Sequence, residues 1–206
     1  MNTRSRPTAG EVRDRLLAAA EQLLADRRPA AITSRDIARA ADLSDGVLYN
    51  HFADKNELLL AALVRRFDRI TAAYGEQQPP ADDAADARLI EVVRRAHAVQ
   101  LAVLPMLANL VGDPPLLDRF LTEIHRAPLG GPRFHEPIRS FLAAEQDAGR
   151  LGSFDLDGAT DAIVGTALFA GLLGILGHHP PHALEERLEA FARTLLTGLQ
   201  NGGTSR

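Results

Sequence analysis

Residues 33–59, TSRDIARAADLSDGVLYNHFADKNELL, carry the pattern that decides the fold of this 206-residue chain. Thr33 can cap a helix, and Asp36 stands where a side chain reaches back to the cap, completing a capping box. Ile37, Ala38 and Ala41 then mark one apolar face at helical spacing. Asp42 falls where that helix must end, and Asp is one of the few residues besides glycine that tolerate a left-handed turn. Ser44 is placed to cap a second helix of about two turns over DGVLYNH, residues 45–51. Asp54 caps a third, with Glu57 at its box position. The pattern reads as a helix-turn-helix running straight into a third helix. So short a middle helix is unstable alone and must be presented by its neighbours. Leu48 and Phe52 are its expected core residues.

Outward from this stretch, helix signals run nearly end to end, and the expected class is all-α. A first helix starts at a Thr8 cap with Glu11 as box partner and runs to about Asp26, burying Val12, Leu16, Leu17, Ala20, Leu23 and Leu24. Arg27-Arg28-Pro29-Ala30 breaks it. The helix from Lys55 carries Leu58, Leu59, Ala62, Leu63, Phe67 and Ile70 inward and ends before Gln78-Pro79-Pro80. That dipeptide and the acidic ADDAADA after it mark a domain boundary, giving 1–78 and 79–206.

The second domain opens with a long helix from Asp83 to Val111, with Leu89, Val92, Val93, Ala96, Val99, Val103, Leu104, Leu107 and Leu110 inward. Pro105 lies inside it and should kink it, freeing the Leu101 carbonyl. Further helices are expected over 114–125, over 134–148 (ended by Gly149 after a loop at Pro128 to Pro132), over 157–177 and over 182–199. In the last, Leu184, Leu188, Phe191, Leu195 and Leu199 keep three- and four-residue spacing. Residues 1–7 and 200–206 are expected to fray.

Composition narrows the function classes. No cysteine occurs, which removes disulfides, thiolate nucleophiles and Cys-ligated zinc and suits a reducing cytosol. No signal peptide opens the sequence, and the expected location is cytoplasmic. Residues 1–70 hold 12 Lys+Arg against 10 Asp+Glu, whereas residues 71–206 hold 11 against 17. The positive end is therefore the end with the helix-turn-helix. No Gly-rich phosphate loop, Ser/His/Asp elbow or paired-carboxylate pattern is present, so no enzyme and no cofactor are expected.

The motif resembles the DNA-binding domain of the tetracycline-repressor (TetR) family of bacterial transcription regulators. Ile37-Ala38, Ala41, Leu43-Ser44, Gly46, Leu48-Tyr49, His51-Phe52, Lys55 and Leu58-Leu59 match its pattern at fixed spacing. The sequence departs from it at Asp42, where the family usually has Gly, at Val47, usually Thr or Ala, and at Asp45, often basic. The resemblance implies a three-helix DNA-binding domain followed by a larger helical domain for ligand binding and dimerisation. Ser44, Asp45, Val47 and Asn50, on the outward and N-terminal part of the short helix, are expected to meet base edges in the major groove. Asp45 could accept from a cytosine amino group, Asn50 could pair with adenine, and Val47 could touch a thymine methyl. Tyr49 and His51 match family positions that hold the phosphate backbone. Thr33, Arg35 and Lys55 join them, each at a helix start whose free N–H groups attract an anion. Ser34 and Gly46 complete the expected DNA-binding set.

The second domain carries no local signature. His97, Gln100, Asn109, His125 and His135 are polar residues in apolar helices, where satisfied core groups are the ordinary explanation. A few of them could instead orient a small molecule, and the candidate pocket set is His97, Gln100, Leu101, Leu104, Asn109, Phe120, His125, Phe141 and Phe169. His178, His179 and His182 flank two prolines, and a helix-ending turn explains them without a metal. The run from Ala162 to Gly177 is apolar all round but shorter than a membrane span, so a buried helix is expected there. Its small residues, with the amphipathic last helix, suit a four-helix bundle across a two-fold axis. Gly165, Gly171, Leu188, Phe191 and Leu195 are its expected contacts.

The expected function is a ligand-responsive, DNA-binding regulator, a repressor released from a palindromic operator by an unidentified small-molecule effector. Its expected partners are double-stranded DNA and a second copy of the chain, with no membrane. The alternative is a small-molecule-binding helical protein whose helix-turn-helix has lost specific DNA recognition, a reading prompted by Asp42 and Asp45.

Overall fold

A computed structural model of the chain describes residues 8–75, 84–126, 132–177 and 180–201, and among these every regular element is helical. The α-helices are α1 (Ala9–Asp26), α2 (Ser34–Ala40), α3 (Lys55–Gly75), α4 (Ala85–Leu110), α5 (Pro114–Arg126), α6 (Pro132–Asp147), α7 (Leu156–Ile175) and α8 (Pro181–Asn201). By packing, the chain divides into a first unit of Met1–Asp68 with Met106–Arg126 and a second of Arg69–Pro105 with Ala127–Arg206. The change of unit within α4 falls at Pro105, the helix-interior proline. The boundary expected at Pro79-Pro80 lies outside the described residues, as do the loop expected at 128–131 and both expected frayed ends apart from residues 200 and 201.

In the first unit, caps start the helices as the residue types dictate. Thr8 accepts from the Glu11 N–H while its own N–H donates to the Glu11 carboxylate at 2.7 Å. Thr33 and Asp36 repeat the arrangement at α2. At α3 the Asp54 carboxylate takes the Glu57 N–H at 2.8 Å, and Glu57 reaches back to the Ala53 N–H. Asp42 is the one non-glycine residue with positive φ among those described, at 54°. Arg15 of α1 closes over that turn, donating to the Ala41 and Asp42 carbonyls. Leu16, Ile37, Leu48, Phe52, Leu58 and Leu59 form the buried centre. Phe67 meets the edge of Phe120, with ring centres 5.8 Å apart. Leu23, and Ile70 where α3 enters the second unit, are only half-buried, while Ala19 and Leu60 are buried.

The middle helix departs from expectation. Instead of two α-turns capped by Ser44, residues 44–47 make a turn, with the Val47 N–H on the Ser44 carbonyl at 3.0 Å. A single 3-10 turn follows over Leu48–Asn50 without a side-chain cap. Gly46 and β-branched Val47 are weak helix formers, and Asp and Asn compete for backbone bonds locally. Burial of Leu48 and Phe52 holds the segment with less helix than the pattern suggested.

In the second unit α6 packs on α7, and α7 on α8. Asp155 caps α7, accepting from the Gly158 N–H at 2.5 Å. α7 has 20 residues, close to the 157–177 expected, and by length and hydropathy alone it could cross a membrane. It is also not buried all round. Ile163, Ala167, Ala170 and Gly171 face inward, whereas Leu168, Phe169, Leu172, Ile175 and Leu176 are exposed. Gly171 is where a neighbour needs the space: a Cβ there would stand 3.0 Å from Leu104 and 3.1 Å from Gln100 of α4. At the end of α6, Glu145 is buried and takes a two-pronged bond from Arg150, at 2.7 and 2.9 Å. Arg88 of α4 brings Nη1 to 2.5 Å from the same carboxylate and lies 5.3 Å over the Phe141 ring.

Candidate nucleic-acid interface

The residues expected to touch DNA come together on one face of the first unit. Thr33, Ser34, Arg35, Asp45 and Tyr49 line a shallow cleft of about 420 Å³ between the start of α2 and the turn before Leu48. Ser44, Asp45, Gly46, Tyr49 and Asn50 are exposed, and Val47 and His51 are half-exposed. Leu48 and Phe52 alternate with them and are buried, so two apolar side chains anchor a strip whose other residues face out. Nothing lies within 4 Å of where a Cβ on Gly46 would stand, which leaves the backbone open to close approach.

Several of these side chains have partners already. The Thr33 hydroxyl donates to Asp36 at 2.7 Å and accepts from the Asp36 N–H, so it serves the α2 cap. That bonding holds the Asp36 carboxyl below its usual range, mainly through Thr33. The Ser34 and Tyr49 hydroxyls lie 3.2 Å apart, which steadies an otherwise exposed tyrosine. Arg35 Nε donates to Asp45 Oδ2 at 3.0 Å, with both side chains well exposed. Lys55, expected at a phosphate, donates to the Ile32 and Pro29 carbonyls at 2.9 and 3.3 Å, leaving one N–H for an outside partner. The Arg35–Asp45 pair was not legible beforehand, because a separation of ten residues across a turn has no periodic signature.

The candidate pocket residues are distributed. Asn109 and Phe120 belong to the first unit, where Phe120 is fully buried against Phe67. Phe120 is therefore a core residue there. His97, Gln100, Leu101, Leu104, Phe141 and Phe169 belong to the second. Phe141 is buried beneath Arg88, and Leu101 and Phe169 are exposed. His97 is half-buried, hydrogen-bonded to the backbone of Ala170, and held below its usual pKa chiefly by desolvation. Its Nε2 is buried with no partner among the described residues. The side chain of His125, like His178 and His179, lies outside the described residues. His135 Nε2 lies 3.3 Å from Asp161 on the surface.

Of the expected bundle contacts, Gly165, Leu188 and Phe191 line a cleft of about 380 Å³ between α7 and α8, together with Phe169, Leu173 and Arg187. Leu195 is half-buried. Gly171 packs within its own unit against α4, and Leu188 is buried to 2% exposure, so neither presents its side to the outside. The exposed stripe Leu168, Phe169, Leu172, Ile175 and Leu176 was missed. Its spacing of i, i+1, i+4, i+7 and i+8 was readable, but an all-round apolar helix hides which face lacks cover.

An outward strip on a buried two-residue anchor, led by a capped helix and a left-handed turn, defines a helix-turn-helix transcriptional regulator. Residues 16–62 match the model of the tetR family of bacterial regulatory proteins. Over 190 residues it is 29% identical to an uncharacterized HTH-type transcriptional regulator of Mycobacterium tuberculosis, spanning 92% of this chain and 75% of that one. Over 77 residues it is 35% identical to an HTH-type transcriptional repressor of the same species, spanning 37% of this chain and 41% of the repressor. Among solved structures, the Flavonoid-responsive Regulator FrrA aligns with a TM-score of 0.67 at 24% identity, covering 93% of this chain and 98% of its own. A transcriptional regulator from Saccharomonospora viridis, solved with choline, aligns at 0.69 and 19% identity, covering 89% and 96%. At these identities the structural likeness is one of fold.

Proposed function

We propose that this regulator is a homodimeric repressor, acting in the cytoplasm, that holds a palindromic DNA operator and is released from it by a small molecule. The observation that carries the reading is the strip from Ser44 to His51, exposed on its outer side and anchored by Leu48 and Phe52. Two copies related by a two-fold axis would set their strips into successive major grooves, as symmetric helix-turn-helix proteins do. Asp42 does not argue for a degenerate motif: it adopts the left-handed turn that the family's usual glycine supplies.

Ligand response follows from population shift. A small molecule that binds one spacing of the two DNA-binding heads better than another lowers DNA affinity by that difference. α3 runs from Lys55, next to the reading strip, to Gly75 in the second unit, and it is one covalent link through which that coupling can pass. The repressor role is supported by the 35%-identical repressor, and ligand control by the neighbours described as flavonoid-responsive and choline-bound.

Selection of bound fragments from a random DNA pool tests the reading. A two-fold symmetric site should be enriched, and affinity for it should fall steeply with salt as phosphate contacts release counterions. Enrichment of an asymmetric site bound by one copy would contradict it. A screen of small molecules against the selected complex should then yield at least one that dissociates it.

A further inference from the structure

We infer that Arg35 and Asp45 act as one unit that reads a G·C base pair, with Asp45 fixing Arg35 so that its far edge is presented to guanine. This rests on the DNA-binding reading above and assigns that surface a specificity-determining pair. Arg35 stands in the first turn of α2 and Asp45 in the turn before the 3-10 segment, so the two halves of the helix-turn-helix each supply one member. Nε of Arg35 donates to Oδ2 of Asp45 at 3.0 Å. With Nε occupied, the two terminal nitrogens form the free edge of the guanidinium. That edge matches the O6 and N7 acceptors of guanine in the major groove. The other Asp45 oxygen remains an acceptor, and the paired cytosine offers an amino donor beside the guanine.

Charge separates this role from phosphate contact. Arg35 is the only cation among the residues lining the cleft, which would suit an anion if it stood alone. Its partner is a carboxylate, however, and a phosphate on Arg35 would be brought close to that negative charge. A base pair carries no net charge and offers acceptors and a donor together, which suits a joined cation and anion. Both side chains are largely solvated, with 76% and 59% exposure, so an ion pair here adds little to folding. The steering of Arg35 is its consequence.

The test is selection from a random pool by the wild-type chain, Arg35→Ala, Asp45→Ala and the double variant, followed by titration of the selected site and its base-pair substitutions at several salt concentrations. The wild type should prefer G·C at one position in each half-site by roughly tenfold or more. Arg35→Ala and Asp45→Ala should each lose that preference at the same position, and the double variant should lose no more than either single one. Asp45→Ala should keep or raise affinity for substituted sites, since a negative charge near DNA is gone. Uniform weakening of all sequences by Arg35→Ala, with a shallower salt slope, would make it a phosphate contact and overturn the proposal. An unchanged preference in Asp45→Ala would overturn the pairing while leaving DNA reading intact. A wild type that enriches nothing would remove the DNA reading itself, and the pair with it. Asp45→Leu, which keeps side-chain bulk but accepts no hydrogen bond, serves should Asp45→Ala fold poorly.

Discussion

At the scale of single residues, Asp42 shows how the backbone selects side chains. Its φ of 54° lies in the left-handed region, which costs an ordinary L-residue roughly 1–2 kcal/mol and Asp less. Its side chain is fully exposed, and Arg15 grips its carbonyl, a bond any residue would keep. Asp42→Gly should therefore fold at least as stably as the wild type, partly offset by the greater freedom of glycine in the unfolded chain. Asp42→Val should be less stable than Asp42→Gly by about 1–2 kcal/mol in urea denaturation, because a β-branched residue resists that conformation. Equal stability of the two variants would mean the turn relaxes. This turn was legible in the sequence, because Asp at the end of a capped apolar helix has few other uses. The Arg35–Asp45 pair was not, since it depends on where the chain goes after the turn.

At the scale of elements, the junction of α4 and α6 is held by charge in an apolar setting. The Glu145 side chain is only 1% exposed, yet Arg150 binds it with two nitrogens and Arg88 lies against it. The Arg150 hydrogen bonds, then the Arg88 and Arg150 charges, hold the Glu145 carboxyl below its usual range against the opposing effect of burial. A carboxyl whose folded pKa is depressed stabilises the fold above its unfolded pKa, 4.5 here, and loses that contribution as pH falls through the lower folded value. Glu145→Gln should cost about 3 kcal/mol at neutral pH, since it leaves the buried Arg88 without a counter-charge. The difference in stability between variant and wild type should shrink as pH drops below 4.5. A difference that stays constant across that range would show that the glutamate acts through shape alone. Helix positions such as α1 and α8 were legible because caps and periodic leucines are local. This ion cluster was not, because Arg88 on α4 lies far in sequence from Glu145 on α6 and Arg150 just beyond it.

At the scale of the whole molecule, the exposed stripe on α7 asks for a partner. Phe169 is 55% exposed, with Leu168, Leu172, Ile175 and Leu176 beside it, a run of apolar surface of the kind that marks an interface. The proposed two-fold bundle of α7 and α8 would cover it. Leu188→Glu cannot distinguish that interface from the core, because Leu188 is already buried within its own unit. Phe169→Glu can. It should give monomers in sedimentation velocity with helical content preserved, and it should lose most operator affinity, since two linked heads bind far more tightly than one. A Phe169→Glu chain that stayed dimeric would place the interface on another surface.

The sequence by itself determined the all-α class, the capped starts of α1, α2 and α3, the left-handed turn and the resemblance to the tetR family. Each of these follows from residues within a few positions of one another, where steric limits and backbone hydrogen bonding act. Only the tertiary structure decided that the middle helix shortens to a 3-10 turn, that Lys55 is tied to two carbonyls, and that Phe120 belongs to the core of the first unit. It likewise decided which side of α7 is covered and which is left open. Those outcomes depend on which distant segments arrive beside a residue. Burial and pairing are properties of that company, and local pattern carries no record of it.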